Sequence, residues 1–439
     1  MSSLFRASGP FAHANVRWYA WFTTAFNARF YYPILAILFV DLGLSLSQYV
    51  TLNAIWAVTI FLAEVPSGAL ADLIGRRKLL IGASALMVLE MAVLLVAPRD
   101  AGLLLFVFCA VNRILSGLAE AGVSGADQAL AYDSLEDEDD WDEVLEVAMR
   151  LRSAAMVVAM VLGALVYDAE VVGLDPALAH RLPVAFCLVQ AIAALVISWK
   201  FTELGKPDEE KTNFARVFRQ TWQGAKWVMH TRAAMLIVLG GLLIDGVVRN
   251  FATITSEYYR WIEIPTAFFG LISAAAALLG IYTPKISRRL VQRFSPFTNF
   301  ALVGGWSFLA LFFLGRGWDY WGVLPGIAAM VGMSHLGFLM SRYLNRLAQS
   351  HQRATILSVK GLLFNIGYGT ASLVFAGAMF LRKREYGQDG EEALGWVMSW
   401  QPWIFLLTFV IFMLVAKGLG FPRKARARKR QVTPESAHH

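Results

Sequence analysis

Long apolar runs separated by short polar breaks organise this chain. The runs occupy residues 18–44, 48–71, 79–97, 103–131, 151–172, 182–201, 233–262, 267–291, 297–314, 320–344, 354–381 and 397–419. A helix rising ~1.5 Å per residue needs about 20 such residues to cross ~30 Å of hydrocarbon. The pattern therefore predicts an all-α membrane protein with about twelve transmembrane helices. The longest gap, 202–232, parts the runs into two sets of six. The expected organisation is a six-helix bundle at 1–201, a linker at 202–232, a second six-helix bundle at 233–419 and a tail at 420–439. Within the linker, Phe214, Val217, Phe218 and Trp222 recur at helical spacing among Arg216, Arg219 and Lys226. That spacing predicts a helix lying along the membrane surface.

Composition strengthens this reading. The chain is 57% hydrophobic and 16% charged, where soluble domains are nearer 45–50% apolar and ~25% charged. Its net charge of +7 sits in loops and tail, which points to membrane orientation and not to nucleic acid. With the N-terminus inside, inner segments hold 28 of the 39 Lys and Arg residues. Outer segments hold Arg99, Arg181, Arg260, Arg316 and the trio Arg382–Arg384, the trio being offset by Glu385, Asp389, Glu391 and Glu392. Both termini are therefore expected in the cytoplasm, in a multi-pass plasma-membrane (bacterial inner-membrane) protein. No cleavable apolar segment precedes Arg17, so the first span is expected to direct insertion. The basic stretch 423–430 reads either as a contact for anionic lipid headgroups or as a solvated stop-transfer flank. Cys109 and Cys187 both fall in apolar runs and suggest neither a disulfide framework nor a metal site.

One short polar break carries a specific pattern: Gly68-Ala-Leu-Ala-Asp-Leu-Ile-Gly-Arg-Arg-Lys78. Gly68 and Gly75 are expected where backbone approaches backbone. These residues resemble the loop signature of the major facilitator superfamily, with Gly68, Leu70, Ala71, Asp72, Gly75, Arg76, Arg77 and Lys78 filling its positions. The resemblance implies that fold, two pseudo-symmetric six-helix bundles. It also implies a gating role for Gly68, Asp72, Gly75, Arg76 and Arg77, in which Asp72 holds the cytoplasmic side shut. The plainer alternative is a loop acid paired with Arg76. Shifted by 212 residues, the signature meets Gly280, Ser287 and Arg288-Arg289, with Pro284 in place of Asp72. A second loop that keeps the turn and the bases but has lost the acid is expected there.

Charges left inside the runs are the candidate chemistry. Arg29, Arg113, Arg249 and Lys360 lie within them, as do Glu64, Glu90, Glu120, Asp127, Asp245 and Glu257. Each costs several kcal/mol at the bilayer centre unless it meets a partner or water, which argues for a polar interior. In the fourth run Arg113, Gly117, Glu120, Ser124 and Asp127 are spaced to form one stripe. Arg113 and Glu120 lie ~10.5 Å apart along it, so each is expected to meet a partner from another helix. Asp245 and Arg249, four apart, can pair directly. Arg29 is expected to share a face with Tyr32 and Pro33, while Glu64 and Glu90 are expected to pair only locally and His335 to be a packed residue. Arg113-Ile-Leu-Ser-Gly-Leu-Ala-Glu-Ala121 is similar to the superfamily's fourth-helix motif, in which the arginine is linked to proton coupling; a structural ion pair is the alternative. The stretches 124–134 and 353–358 look like a bacterial, drug-efflux-like branch, but the fifth run has Gly163 and no proline, so the Gly-Pro-rich antiporter motif is missing.

The resulting expectation is a monomeric secondary transporter whose partners are a small organic solute, protons and membrane lipids. It needs no cofactor, and no phosphate-cradling loop or metal-ligand spacing points to an enzyme. Arg29, Tyr32, Arg113, Glu120, Asp127, Asp245, Arg249 and Lys360 are the candidate substrate-binding or proton-coupling residues. Glu120 is the first choice for the proton carrier, because burial favours the neutral form of a carboxyl group. Proton-coupled export of a polar or amphipathic solute leads. Proton-coupled uptake of an organic anion, or a non-transporting receptor with the same fold, are the alternatives.

Overall fold

The computed structural model describes residues 9–137, 140–203, 214–280, 282–347, 353–388 and 390–421; the side chains at 72, 214–217, 220 and 353–355 also lie outside this description. Among the described residues all regular structure is helical. Most helices carry apolar side chains on their outer faces too, with Leu62, Val189 and Leu407 more than half exposed, as a lipid-facing surface requires. Among the described residues, ten helical stretches are long and apolar enough to cross a membrane, and an eleventh forms if Thr266–Gly280 and Thr283–Arg293, bent by 41°, act as one.

The first expected span is not one helix. It consists of α1 (Ala14–Asn27), a 3-10 turn (Tyr32–Ile34) and α2 (Leu35–Asp41). Pro33 lacks an N–H and cannot continue the hydrogen-bond ladder. Freed backbone groups inside a membrane must find other partners. Here Phe30 N–H donates to Cys187 Sγ at 3.2 Å. Ala36 and Ile37 N–H, in the first turn of α2, both donate to Ser256 Oγ at 2.9 and 3.2 Å. Gly163 makes room for the break, since a Cβ there would run into the Phe30 carbonyl.

The remaining crossings follow in order: α3 (Leu46–Ile74), α4 (Arg76–Leu95), α5 (Leu103–Val123) with the short α6 (Ala126–Tyr132), α7 (Trp141–Tyr167) and α8 (Leu182–Lys200). After the linker helix α9 (Phe214–His230) come α10 (Arg232–Trp261), α11 (Phe269–Gly280) with α12 (Thr283–Arg293), α13 (Pro296–Leu314), α14 (Val323–Leu347), α15 (Arg353–Tyr386) and α16 (Gly390–Gly418). Alternating crossings put the starts of α1 and α10 and the end of α16 on one side, the terminal face. The Asp41, Tyr167 and Trp261 ends lie on the other, the far face. The two halves of the chain meet where α3 runs along α15 and α7 along α11. Small residues allow close approach inside the first half: Gly117 faces Thr59, and Gly122 faces Ala83. In α9, Phe218 and Trp222 are exposed, while Phe214 and Val217 lie outside the described side chains.

Two expectations about the signature loop change. Gly68 lies inside α3 with nothing near the position of an added Cβ, so no close approach requires it there. Gly75 is the turn between α3 and α4, at φ 93°, a region that favours glycine. The Glu203 carboxylate accepts from Arg76 N–H (3.1 Å) and Arg77 N–H (2.9 Å), capping the start of α4. Arg76 also pairs with Asp133, and Arg77 donates to the Trp199 carbonyl at 3.1 Å. In the second half the turn is not kept at the matching position. Ser287 is buried inside α12, because serine lacks the freedom that lets Gly75 turn.

Candidate functional site

A cavity of about 360 Å³ opens between the halves toward the terminal face. Its walls differ in charge. The first half contributes Glu64 from α3, Glu120 from α5 and Asp127 from α6, with Arg152 of α7 beside them. The second half contributes Arg249 from α10 and Lys360 and Asn365 from α15. Ser124 and Gly125, exposed at its edge, mark where α5 breaks, with Gly125 in the left-handed region at φ 76°. The predicted stripe is therefore interrupted: Glu120, Ser124 and Asp127 line the cavity, whereas Arg113 and Gly117 do not.

Arg249 is fixed on three sides. It meets Asp245 at 2.8 Å, donates to Asn365 Oδ1 at 3.1 Å, and stands over the Tyr368 ring at 5.5 Å. Lys360 Nζ lies 5.5 Å from the Phe364 ring centroid. Among the described residues no ion pair joins Lys360, Glu64 or Asp127 to another side chain. Asp127 does accept from the Gln128 N–H at 2.8 Å.

Behind the first-half wall lies a buried polar network. Arg29, 1% exposed, donates from Nη1 to both Glu90 oxygens at 3.2 and 3.0 Å. It also reaches the Phe26 carbonyl at 3.3 Å and lies 3.7 Å from Glu120. Tyr31 hydroxyl donates to Glu90 at 3.3 Å. Glu90 is thus not locally paired: its partner comes from the break in the first span, 61 residues away. Only a buried acid in the third run hinted at this. Arg113 stacks on the Phe39 ring at 5.0 Å and donates to its neighbour Asn112 at 3.1 Å. Its Nη2 is buried with no hydrogen-bond partner among the described residues.

Tyr32 lies near enough to Arg29 and Glu120 to interact with them electrostatically, though no side-chain hydrogen bond joins it to either among the described residues. It lines a second cavity of about 600 Å³, with Met160, Phe251, Met330 and Met333. This cavity starts beside the first, since Arg249 borders one and Thr253, about one turn further along the same face of α10, the other. His335 lies elsewhere, buried, with its Nδ1 at 2.6 Å from Ser287 Oγ.

The far face is closed by polar contacts, some across the halves and some within the first half. Asp41 Oδ2 accepts from Arg260 Nη2 at 2.8 Å and from the Tyr167 hydroxyl at 2.7 Å. His180 stacks on Tyr167 at 4.2 Å and meets Arg99 at 2.9 Å. Tyr49 hydroxyl donates to the Thr253 carbonyl at 2.8 Å, and Ala267 N–H to Asp168 at 3.3 Å. Composition had placed Arg99 and Arg260 as loop charges; their role in this closure had no sequence signal. Asp72 is carried on α3, but its side chain lies outside the described residues, so the expected gate contact does too. The tail at 423–430 lies outside them entirely.

A family model described as the Major Facilitator Superfamily matches residues 18–372. Matching solved structures include the nucleoside transporter NupG, at 9% identity and TM-score 0.68, covering 92% of this chain and 98% of that one. The peptide transporter POT in complex with sulfate matches at 15% identity and TM-score 0.70, covering 95% and 97%. A POT family transporter in complex with 5-aminolevulinic acid matches at 13% and 0.65, covering 91% and 96%. No curated protein matches the chain.

Proposed function

The chain belongs to the Major Facilitator Superfamily, and on that premise we propose that it exports a small polar or amphipathic organic solute in exchange for protons by alternating access. The halves 1–201 and 233–419 rock about the cavity between them. With the termini in the cytoplasm, as the distribution of Lys and Arg requires, this conformer faces inward. The observation that carries the reading is a charged cavity open at the terminal face and closed at the far face by Asp41, Arg260 and Tyr167. Solute enters against Arg249 and Lys360. Glu120, between the cavity and Arg29, takes and releases the proton. Asp127 at the mouth is the second carboxyl on that route. Arg113, stacked rather than paired with an acid, leaves Glu120 free to change charge. In the outward-facing state the signature loop closes the inner side, with Asp72 as its gate.

A second reading has one observation in its favour. Lys360 faces the cavity with no acid in ion-pair contact among the described residues, Asp245 acting on it only at longer range, which suits uptake of an organic anion together with protons. Proteoliposomes loaded with a pH dye separate the two: opposed proton and solute flows mean export, shared flows mean uptake. Glu120→Gln is expected to abolish solute-linked proton movement while leaving solute binding intact. An unchanged pH dependence in that variant rejects Glu120 as the carrier. No flow with any solute in the wild type rejects transport and favours a receptor.

A further inference from the structure

Resting on the proposed transport site, we infer that the preferred cargo is an amphipathic zwitterion: a carboxylate and an ammonium group close together on a molecule with an apolar arm. The two charged walls stand within about one helical turn of each other in depth. Lys360 lies seven residues from the start of α15 and Glu64 ten residues from the end of α3, about 10 and 15 Å from the terminal face. Both border the same cavity, and α3 runs along α15. Neither has an ion-pair partner among the described residues, whereas Arg249 is bound to Asp245 and Arg29 to Glu90. Two opposite charges with no partner in contact, Asp245 reaching Lys360 only at longer range, cost desolvation unless a ligand brings both complements. A carboxylate meets Lys360, with the Asn365 amide deeper on the same wall. An ammonium meets Glu64.

The apolar arm has its own place. Past Arg249 the wall changes from charge to sulfur and rings: Phe251, Met160, Met330 and Met333 border the second cavity. Unbranched methionine side chains adapt to arms of differing shape. Thr253, Thr255 and Ser256 there are already engaged, the two threonine hydroxyls donating to backbone carbonyls of α10 and Ser256 accepting from the N–H groups of α2. The second cavity therefore offers mainly apolar surface, and a small polar zwitterion would leave it unfilled.

The test is equilibrium binding to the purified full-length protein in nanodiscs at pH 7, by calorimetry and thermal shift. Tryptophan is the zwitterionic probe. Tryptamine lacks the carboxylate, indole-3-propionate lacks the ammonium, and glycine lacks the arm. Tryptophan is expected to bind at least about tenfold more tightly than each of the others, ~1.4 kcal/mol. Lys360→Gln should bring tryptophan down to the affinity of tryptamine without altering tryptamine itself. Glu64→Gln should bring it down to that of indole-3-propionate. Lys360→Arg, which keeps the charge, should retain most of the preference. The inference is overturned if a singly charged probe binds as tightly as tryptophan, if no probe binds, or if the two glutamine variants weaken all probes alike. That last result would mean the walls pair only with each other. Binding is read without transport, so the two readings fail separately. Zwitterion binding without solute-linked proton flux defeats the export proposal alone; flux carried by tryptamine or indole-3-propionate but not tryptophan defeats this inference alone.

Discussion

The far face and the terminal-face cavity are built from the same residue types and use them in opposite ways. At the far face, Asp41 from the first half is bound by Arg260 from the second and by Tyr167, and Ser256 caps helix α2 across the divide. Tyr167 joins Asp41 within the first half, while Arg260 and Ser256 reach across from the second, and those crossing contacts hold the halves together. In the cavity, Glu64, Asp127 and Lys360 also face across the divide but stay apart. On the proposed reading, their charges are met by a ligand, a proton or closure. A polar group in the divide thus seals the molecule when its partner is protein, and on the proposed reading it serves the cargo when no partner is in contact.

The largest expected effect sharpens this contrast by testing a third arrangement, the pair buried within one half. Arg29→Met leaves Glu90, fully buried, without its counter-charge. Breaking a buried pair from one side costs about 3–5 kcal/mol. A large fall in melting temperature in detergent is expected, with much of it recovered in Arg29→Met/Glu90→Leu, where no charge is left. If Arg29→Met melts like the wild type, the network is not structural and belongs with the cavity groups.

How much of this was legible beforehand depends on the reach of each signal. Hydropathy located the crossings, because burial in hydrocarbon acts on every residue of a span. The i, i+4 spacing of Asp245 and Arg249 located a local pair, because helix geometry alone brings such residues together. Hydropathy could not see the break at 28–34, since an apolar segment reads the same whether or not its backbone is continuous. Nor could local spacing join Glu90 to Arg29, or Asp41 to Tyr167 and Arg260, which depend on how separate helices pack. Gly68 shows the reverse error. A glycine fits a pattern there, yet the surroundings would accept a Cβ.

Breaking the far-face contacts directly should give the next largest effect. Asp41→Asn removes the charge that Arg260 meets while keeping the shape. A coupling of about 1–3 kcal/mol between the halves corresponds to a shift of roughly 5- to 150-fold toward the outward-open state. The readout is labelling of Leu35→Cys, placed in the second cavity, by a membrane-impermeant thiol reagent added on the far side; Cys109 and Cys187 are both buried. Labelling should rise in Asp41→Asn and stay at the wild-type rate in Lys360→Gln, whose charge lies in the cavity. Equal increases in both variants would erase the distinction between sealing and cargo-facing charges.

Ser256→Ala probes the same closure at its mildest. The hydroxyl carries no charge, but it is the acceptor for Ala36 and Ile37 N–H, which α2 cannot satisfy itself because they lie in its first turn. Losing a hydrogen bond of this kind costs about 1 kcal/mol, a factor of ~5 in the local opening equilibrium. Amide exchange at Ala36 and Ile37 should quicken by about that factor, while amides in α4, which make no contact with Ser256, keep their protection. Because the same atoms join the halves, Leu35→Cys labelling from the far side should also rise, though less than in Asp41→Asn. Faster exchange without any gain in labelling would mean that Ser256 supports the broken first span and takes no part in holding the far face shut.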